Sequence, residues 1–266
     1  MKVVALLAVR DEAEYLRRCL EHLIQQGVYV CLIDNDSTDG SLAIAEAFFG
    51  KGVIGIERLP YKGYFDLVEQ LQCKERLSRE VEADWFIHVD ADEIREPHAP
   101  FATLRDGIIE VDRQGYNAIN FDEFVFLPTS DAESFEGTDY VRMMKYYYFF
   151  MPNNLHRVNA WKSACGPVDL TSTGGHQVDF EGRMIYPENF VLRHYIGLSA
   201  RHLINKYTSK RIYSRAEIDE RRWHGARARF SEDKLRLSSI HSLKCISGLG
   251  WDKSDPWLRH KFLGED

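Results

Sequence analysis

The sequence predicts an α/β protein: a mixed, mainly parallel sheet flanked by helices, followed by a basic helical C-terminal extension. Two observations carry this prediction. Short apolar runs recur at residues 3–9, 28–33 and 85–89, continuous in the way expected of strands covered on both faces. The first two runs each lead through a polar or charged loop into residues with helical periodicity. Strands that alternate with crossover helices in this way build a parallel sheet.

In chain order, the run at 3–9 is followed by Asp11, expected to open a helix that buries Tyr15, Leu16, Cys19, Leu20, Leu23 and Ile24. The run at 28–33 ends in a turn-forming stretch, Asp34-Asn35-Asp36-Ser37-Thr38-Asp39-Gly40, ahead of a helix over 41–49. A third strand is expected near 53–57, a helix over 65–81, and a fourth strand at 85–89 that stops at Asp90-Ala91-Asp92-Glu93. After a helix near 101–112 the chain becomes strand-rich and aromatic, with strands expected at 118–127, 141–150, 156–162, 174–178 and 190–195. From 199 to about 243 the pattern turns helical and basic, and Trp251 and Trp257 are candidate anchors of a tail. The expected division is a main domain over 1–198 and an extension over 199–266 packed on that same domain.

With 266 residues, 44% hydrophobic and 28% charged, the chain has enough apolar material for a globular core, which excludes a disordered or fibrous protein. No apolar run approaches the roughly 20 residues needed to cross a bilayer, so a soluble protein is expected. Arg10-Asp11-Glu12 interrupts the apolar opening, which reads as a buried strand rather than a secretion signal. Five widely spaced cysteines without a C-x-x-C pair argue against a disulfide framework or zinc site, and point to a reducing cytoplasm. Net charge is −7, yet residues 199–236 hold eleven Lys or Arg against five Asp or Glu. That basic end suits a phosphate-bearing ligand or a peripheral contact with the inner face of an anionic membrane; a solvated basic helix explains it equally well. No nucleic acid partner is expected.

In open parallel sheets, ligands bind beyond the carboxyl ends of the strands. The loops Arg10-Asp11-Glu12, Asp34 to Asp39 and Asp90 to Glu93 should therefore converge. Asp90 and Asp92, held at a strand tip, suit Mg²⁺ or Mn²⁺, which use one or two carboxylates, waters and diphosphate oxygens. An acidic turn that binds nothing has the same spacing. Arg10-Asp11-Glu12 likewise reads as helix capping, since Asp is a good N-cap. Asp122 and Glu123 are consecutive carboxylates in an apolar strand, unexpected unless one faces a polar site. The aromatic run from Tyr146 to Phe150 suits ordinary sheet packing, or a grip on a sugar ring.

Ala8-Val9-Arg10-Asp11-Glu12 with Tyr15-Leu16, then the Asp34 to Ser41 stretch, then Asp84-Trp85-Phe86-Ile87-His88-Val89-Asp90-Ala91-Asp92-Glu93, resemble the ordered motifs of GT-A glycosyltransferases similar to family 2. The resemblance covers residues 1 to about 95, is weaker at Gly175-His176 and at His194-Tyr195 with Ser199 and Lys206, and ends by about 215. It implies a GT-A-like, Rossmann-like nucleotide-sugar fold. Arg10, Glu12, Asp34 and Asp36 would hold the nucleoside, and Asp90 and Asp92 the metal and diphosphate. Asp11 departs from the Asn more usual in such enzymes and adds a charge.

The reaction so implied is metal-dependent, inverting transfer of a sugar, hexosyltransferase in type, from a nucleoside diphosphate donor to a hydroxyl. A UDP-sugar is the expected donor, and a saccharide or lipid-linked saccharide of a surface glycan, lipopolysaccharide or exopolysaccharide, the acceptor. Charge grows on the leaving phosphate, so a Mn²⁺ or Mg²⁺ ion on Asp90 and Asp92, with His194 resembling the late histidine of that site, would serve as Lewis acid. His176 is a weaker candidate. Lys206, Lys210 and Arg211 would neutralise the phosphates. Asp122 or Glu123, then Glu188, then Asp169, are the candidate general bases. Two rival readings are a non-catalytic nucleotide or glycan binding protein and a sugar nucleotidyltransferase. The latter lacks the Gly-rich, basic phosphate loop it would need after the first strand.

Overall fold

In the computed structural model the chain opens with β1 (Val3–Val9), whose seven apolar residues are almost wholly enclosed. There follow α1 (Ala13–Gln25), β2 (Tyr29–Asp34), α2 (Ser41–Ala47), β3 (Val53–Arg58), α3 (Leu67–Glu80), β4 (Trp85–Asp90), β5 (Glu93–Glu96), α4 (Leu104–Arg113) and β6 (Ala118–Phe126). The remainder forms α5 (Tyr140–Met143), β7 (Tyr146–Phe150), β8 (Val158–Lys162), β9 (Phe190–Tyr195), α6 (Ala200–Asn205), α7 (Gly225–Ala228) and β10 (Lys244–Cys245). The structure describes residues 1–221, 223–246 and 250–264.

The chain divides into two units: Met1–Tyr61, Leu67–Asp122 and Leu155–Leu192 form the first, and Lys62–Asp66, Glu123–Asn154 and Arg193–Asp266 the second. This differs from the boundary at 198/199 expected from the sequence. Residues 123–154 join the later chain because Val125, Tyr148 and Phe150 share a core with Ile196, Leu203, Tyr207 and Phe262.

In the first unit β3, β2, β1 and β4 are parallel, with β1 between β2 and β4, and β8 then pairs antiparallel with β4 and β6. The sheet is thus the mixed α/β type expected. Val4, Leu6, Cys31, Ile33 and Phe86 face a core closed by Leu71 and Leu77 of α3 and by Val168, Leu170 and Val178 of the long loop before β9. Side chains alternate across a strand, so the intervening residues Ala5, Leu7 and Leu32 line the opposite face. Register places Val9 beside Asp34, Ala8 beside Asp90, and Asp34 beside Arg58. The carboxyl ends of four strands therefore form one edge.

In the second unit, the Glu123–Phe126 part of β6 pairs with β7, and β7 with β10. The two tail tryptophans are anchored here. Trp251 stacks on Phe124 at 4.4 Å, and Trp257 on Tyr148 at 4.1 Å while exchanging backbone hydrogen bonds with Phe149 and Met151.

Three sequence expectations are corrected. Residues 141–143 are helical, not extended, because Asp139 caps the start of α5. Residues 174–178 form a loop: Gly174 and Gly175 take φ of +64° and +81°, which no strand accommodates. The basic extension is no continuous helix. It has α6, capped by Ser199, π-helical turns at Lys206–Lys210 and Ala216–Glu220, and α7 after a left-handed His224, with loops between. Within it, residues 222, 247–249 and 265–266 lie outside the described residues. All five cysteines are free. Among the described residues no helix is long and apolar enough to cross a membrane.

Candidate active site

The loops after β1 and β2 converge as expected, through a set of side-chain-to-backbone contacts. Arg10 donates to the carbonyls of Asn35 and Asp36, both at 2.6 Å, and lies 3.3 Å above the Tyr61 ring. The Asp11 and Glu12 amides donate to Ser37 Oγ and Ser41 Oγ, and the Ala13 amide to Asp39 Oδ2 at 2.9 Å. Asp11 is not the cap of α1. It sits at φ +53°, accepts from the Thr38 amide at 2.6 Å, and leaves the helix start to be capped by Asp39 from the neighbouring loop. Negative charge there also suits the helix dipole.

Asp34 is wholly enclosed at the end of β2. Its Oδ2 accepts from Arg58 at 3.1 Å, whereas Oδ1 has no hydrogen-bond partner among the described residues. Arg58 is half exposed. Asp36, at φ +51°, accepts from the Tyr61 amide at 2.7 Å. Asn35 joins the same corner, donating to the Leu59 carbonyl and accepting from Gln70 of α3.

Asp90 and Asp92 flank Ala91 in the turn between β4 and β5. Asp92 is buried, and Asp90 is about half exposed at 52%. Beneath them lies Lys74 of α3, 1% exposed, its Nζ 3.6 Å from Asp90 Oδ1, 3.0 Å from the Val89 carbonyl and 3.1 Å from His88 Nδ1. Burial pulls the Lys74 ammonium below the ordinary lysine pKa, against the pull of Asp90 and Glu93. Burial also pushes His88 well below the usual imidazole value, with Lys74 adding to it, so the ring is neutral. For Asp90, desolvation works against ionisation, but the Lys74 ammonium outweighs it and holds the carboxyl below the usual range. The sequence reading missed Lys74. Its signal was there, because Lys74 continues the apolar stripe of Leu67, Leu71 and Leu77 on α3.

The remaining candidates are distributed differently. His194 Nδ1 pairs with Glu123 Oε1 at 2.6 Å in the second unit, joining a predicted metal ligand to a predicted base. Lys206 is buried and donates to the Ile196 carbonyl at 3.0 Å. Lys210 is exposed, and Arg211 lies over Phe65 at 5.4 Å. Asp122 accepts from Asn189 at 2.9 Å. Glu188 is exposed, 3.4 Å from His98. Asp169, also exposed, caps the turn at Ser172. His176 pairs with Arg157 at 3.1 Å. Among the described residues no group of three or more His, Cys, Asp or Glu side chains is drawn together to hold a metal.

Fold and edge together define an α/β unit whose polar loops are gathered at the carboxyl ends of parallel strands, the ligand-binding position of such sheets. Residues 5–64 match the model of the family described as glycosyl transferase family 2. That stretch contains the first two motifs, in agreement with the resemblance read from the sequence; the Asp90 motif lies beyond it. No curated protein matches the chain. Solved structures similar to it include S. aureus TarS 1–349 in complex with UDP-GlcNAc, at 12% identity and TM-score 0.47, covering 73% of this chain and 58% of that one. TarS 1–349 in complex with UDP matches at 10% identity and TM-score 0.46, over 85% of this chain and 75% of that one. Glucosyl-3-phosphoglycerate synthase from Mycobacterium tuberculosis, in complex with Mn²⁺, UDP and glucosyl-3-phosphoglycerate, matches at 16% identity and TM-score 0.31, over 47% and 44%.

Proposed function

We propose that the protein is a metal-dependent, inverting glycosyltransferase that moves a sugar from a nucleoside diphosphate donor, a UDP-sugar, to a hydroxyl of a saccharide or lipid-linked acceptor in surface glycan synthesis. The observation that carries this reading is the alignment of Asp34 and Asp90 beside the end of β1, in a chain whose residues 5–64 match the family 2 model. Asp34 Oδ1 is the acceptor for a nucleoside N–H or O–H, reached when the half-exposed Arg58 gives way. The Arg10 guanidinium and the Glu12 amide lock the loops after β1 and β2 together, and the Asp36 carboxylate ties the second of these to Tyr61, so that these residues shape the nucleoside side of the site.

Asp90 and Asp92 fit a Mg²⁺ or Mn²⁺ ion. Both are oxygen donors on one tight turn, two carboxylates suffice when diphosphate and water complete the shell, and Asp90 is already held ionised by Lys74. When bound there, the ion would act as a Lewis acid on the leaving diphosphate. Of the four candidate bases, Glu123 is engaged with His194, and Glu188 and Asp169 stand in solvent, which favours Asp122, enclosed within the first unit. Its task is to accept the acceptor hydroxyl proton as that oxygen attacks the anomeric carbon. The Glu123 carboxylate orients the His194 ring.

The experiment is a donor-hydrolysis screen across UDP-, GDP- and dTDP-sugars with Mn²⁺, reading the nucleotide released. Release of UDP, lost in Asp92→Asn and lowered at least tenfold in Asp122→Asn, supports the proposal. Nucleotide binding without any turnover favours the non-catalytic reading.

A further inference from the structure

Arg95 of β5 is wholly enclosed, which is unusual for a guanidinium. One of its nitrogens, Nη2, makes both of its hydrogen bonds, to Glu93 Oε2 at 2.6 Å and to Asn159 Oδ1 at 3.1 Å. Its Nε and Nη1 have no hydrogen-bond partner among the described residues, and its Cζ lies 4.5 Å over the Phe121 ring. A buried ion pair with unmet donors is a poor stabiliser, since apolar side chains of similar volume commonly do as well or better. Fold stability therefore does not account for Arg95.

Its partners do. Glu93, also enclosed, uses the same Oε2 to accept the Asp90 backbone amide at 3.1 Å. Asn159 passes the contact on, its Nδ2 donating to the carbonyls of Gly175 at 2.9 Å and His176 at 3.2 Å. Gly175, at φ +81°, packs so closely on His88 that a Cβ would come within 3.1 Å of the imidazole Cε1. His88 Nε2 in turn lies 3.9 Å from Asp90 Oδ1. The contacts thus leave Asp90 at its amide and return at its carboxylate, through Glu93, Arg95, Asn159, Gly175 and His88. Every member belongs to the first unit.

We infer that Arg95 is a positioning residue: it closes a buried ring of contacts that fixes the Asp90-Ala91-Asp92 turn against the Gly175-His176 loop and so presets the two carboxylates for a divalent ion. This rests on the reading of that turn as a metal and diphosphate site. Supporting contacts of this kind are commonly worth ten- to hundredfold in metal affinity. Glycine at 175 belongs to the same device, because the positive φ and the missing Cβ let the loop touch His88.

The test uses the full chain and reads Mn²⁺ uptake in the presence of UDP from the electron paramagnetic resonance signal of free Mn²⁺, beside UDP affinity without metal and the melting temperature. Arg95→Gln and Asn159→Ala are compared with the wild type and with Asp92→Asn. Asn159→Ala interrupts the ring without stranding a buried charge, so it serves if Arg95→Gln fails to fold. The expected result is an Mn²⁺ affinity about tenfold weaker in the folded variants, metal-free UDP binding within twofold of wild type, and partial recovery in Arg95→Lys. Folded variants with wild-type Mn²⁺ affinity, while Asp92→Asn has lost it, overturn this inference alone. A wild type that takes up no Mn²⁺ with UDP overturns the metal-site reading itself.

Discussion

Lys74 shows how one side chain sets the chemistry of the candidate site. Its ammonium sits under Asp90, so that a carboxylate poised at the surface keeps its charge. The sign of the resulting pH dependence follows directly. The Asp90 carboxyl is depressed below its ordinary value of 3.8, so its contribution to stability is complete above that pH and is lost as the pH falls through the folded-state value. Because Asp90 is half exposed, solvent screens the gain to below about 1 kcal/mol. In chemical denaturation between about pH 4 and pH 2, the wild type should therefore lose more stability than Lys74→Met. Parallel profiles over that range would show that Lys74 does not act on Asp90.

Among the elements, the most informative contact set is the one between the loops after β1 and β2. Asp39 caps a helix that starts 26 residues earlier, through the Ala13 amide, while also holding Ser41. Loss of a cap costs about 1 kcal/mol. Asp39→Ala should lower stability by about that amount in urea denaturation, and should also weaken UDP binding because the same loop carries Asp34 and Asp36. An unchanged midpoint would mean that another group caps α1. The strands of this edge were legible in the sequence: β1, β2 and β4 are apolar runs that end in charged residues, and β9 occupies the predicted residues 190–195. Their convergence followed from a general property of parallel sheets. Legibility failed where tertiary contacts decide. The cap on α1 comes from another loop, which no local pattern shows. Lys74 carries a charge, and charges on helices usually face water. His194 and Lys206 matched a spacing, but spacing does not tell that one would pair with Glu123 and the other with the Ile196 carbonyl.

For the molecule as a whole, charge is the main asymmetry. Residues 199–236 hold an excess of six positive charges in a chain of net charge −7. Lys206 is buried, but Arg201, Lys210, Arg215 and Arg221 are exposed. If this stretch meets an anionic bilayer, the protein should float with vesicles containing phosphatidylserine at low salt, at about 1 kcal/mol per basic residue engaged, and release as salt screens the attraction. A protein that stays wholly soluble under those conditions would exclude the docking part of the proposal and leave the transfer reaction untouched. The central claim is that the turn after β4 binds a cation together with a nucleoside diphosphate. Calorimetric titration of UDP with and without Mn²⁺ tests it most directly. Mn²⁺ should tighten UDP binding at least tenfold in the wild type and leave it unchanged in Asp92→Asn, whereas equal UDP affinity with and without the ion would show that the turn holds no cation.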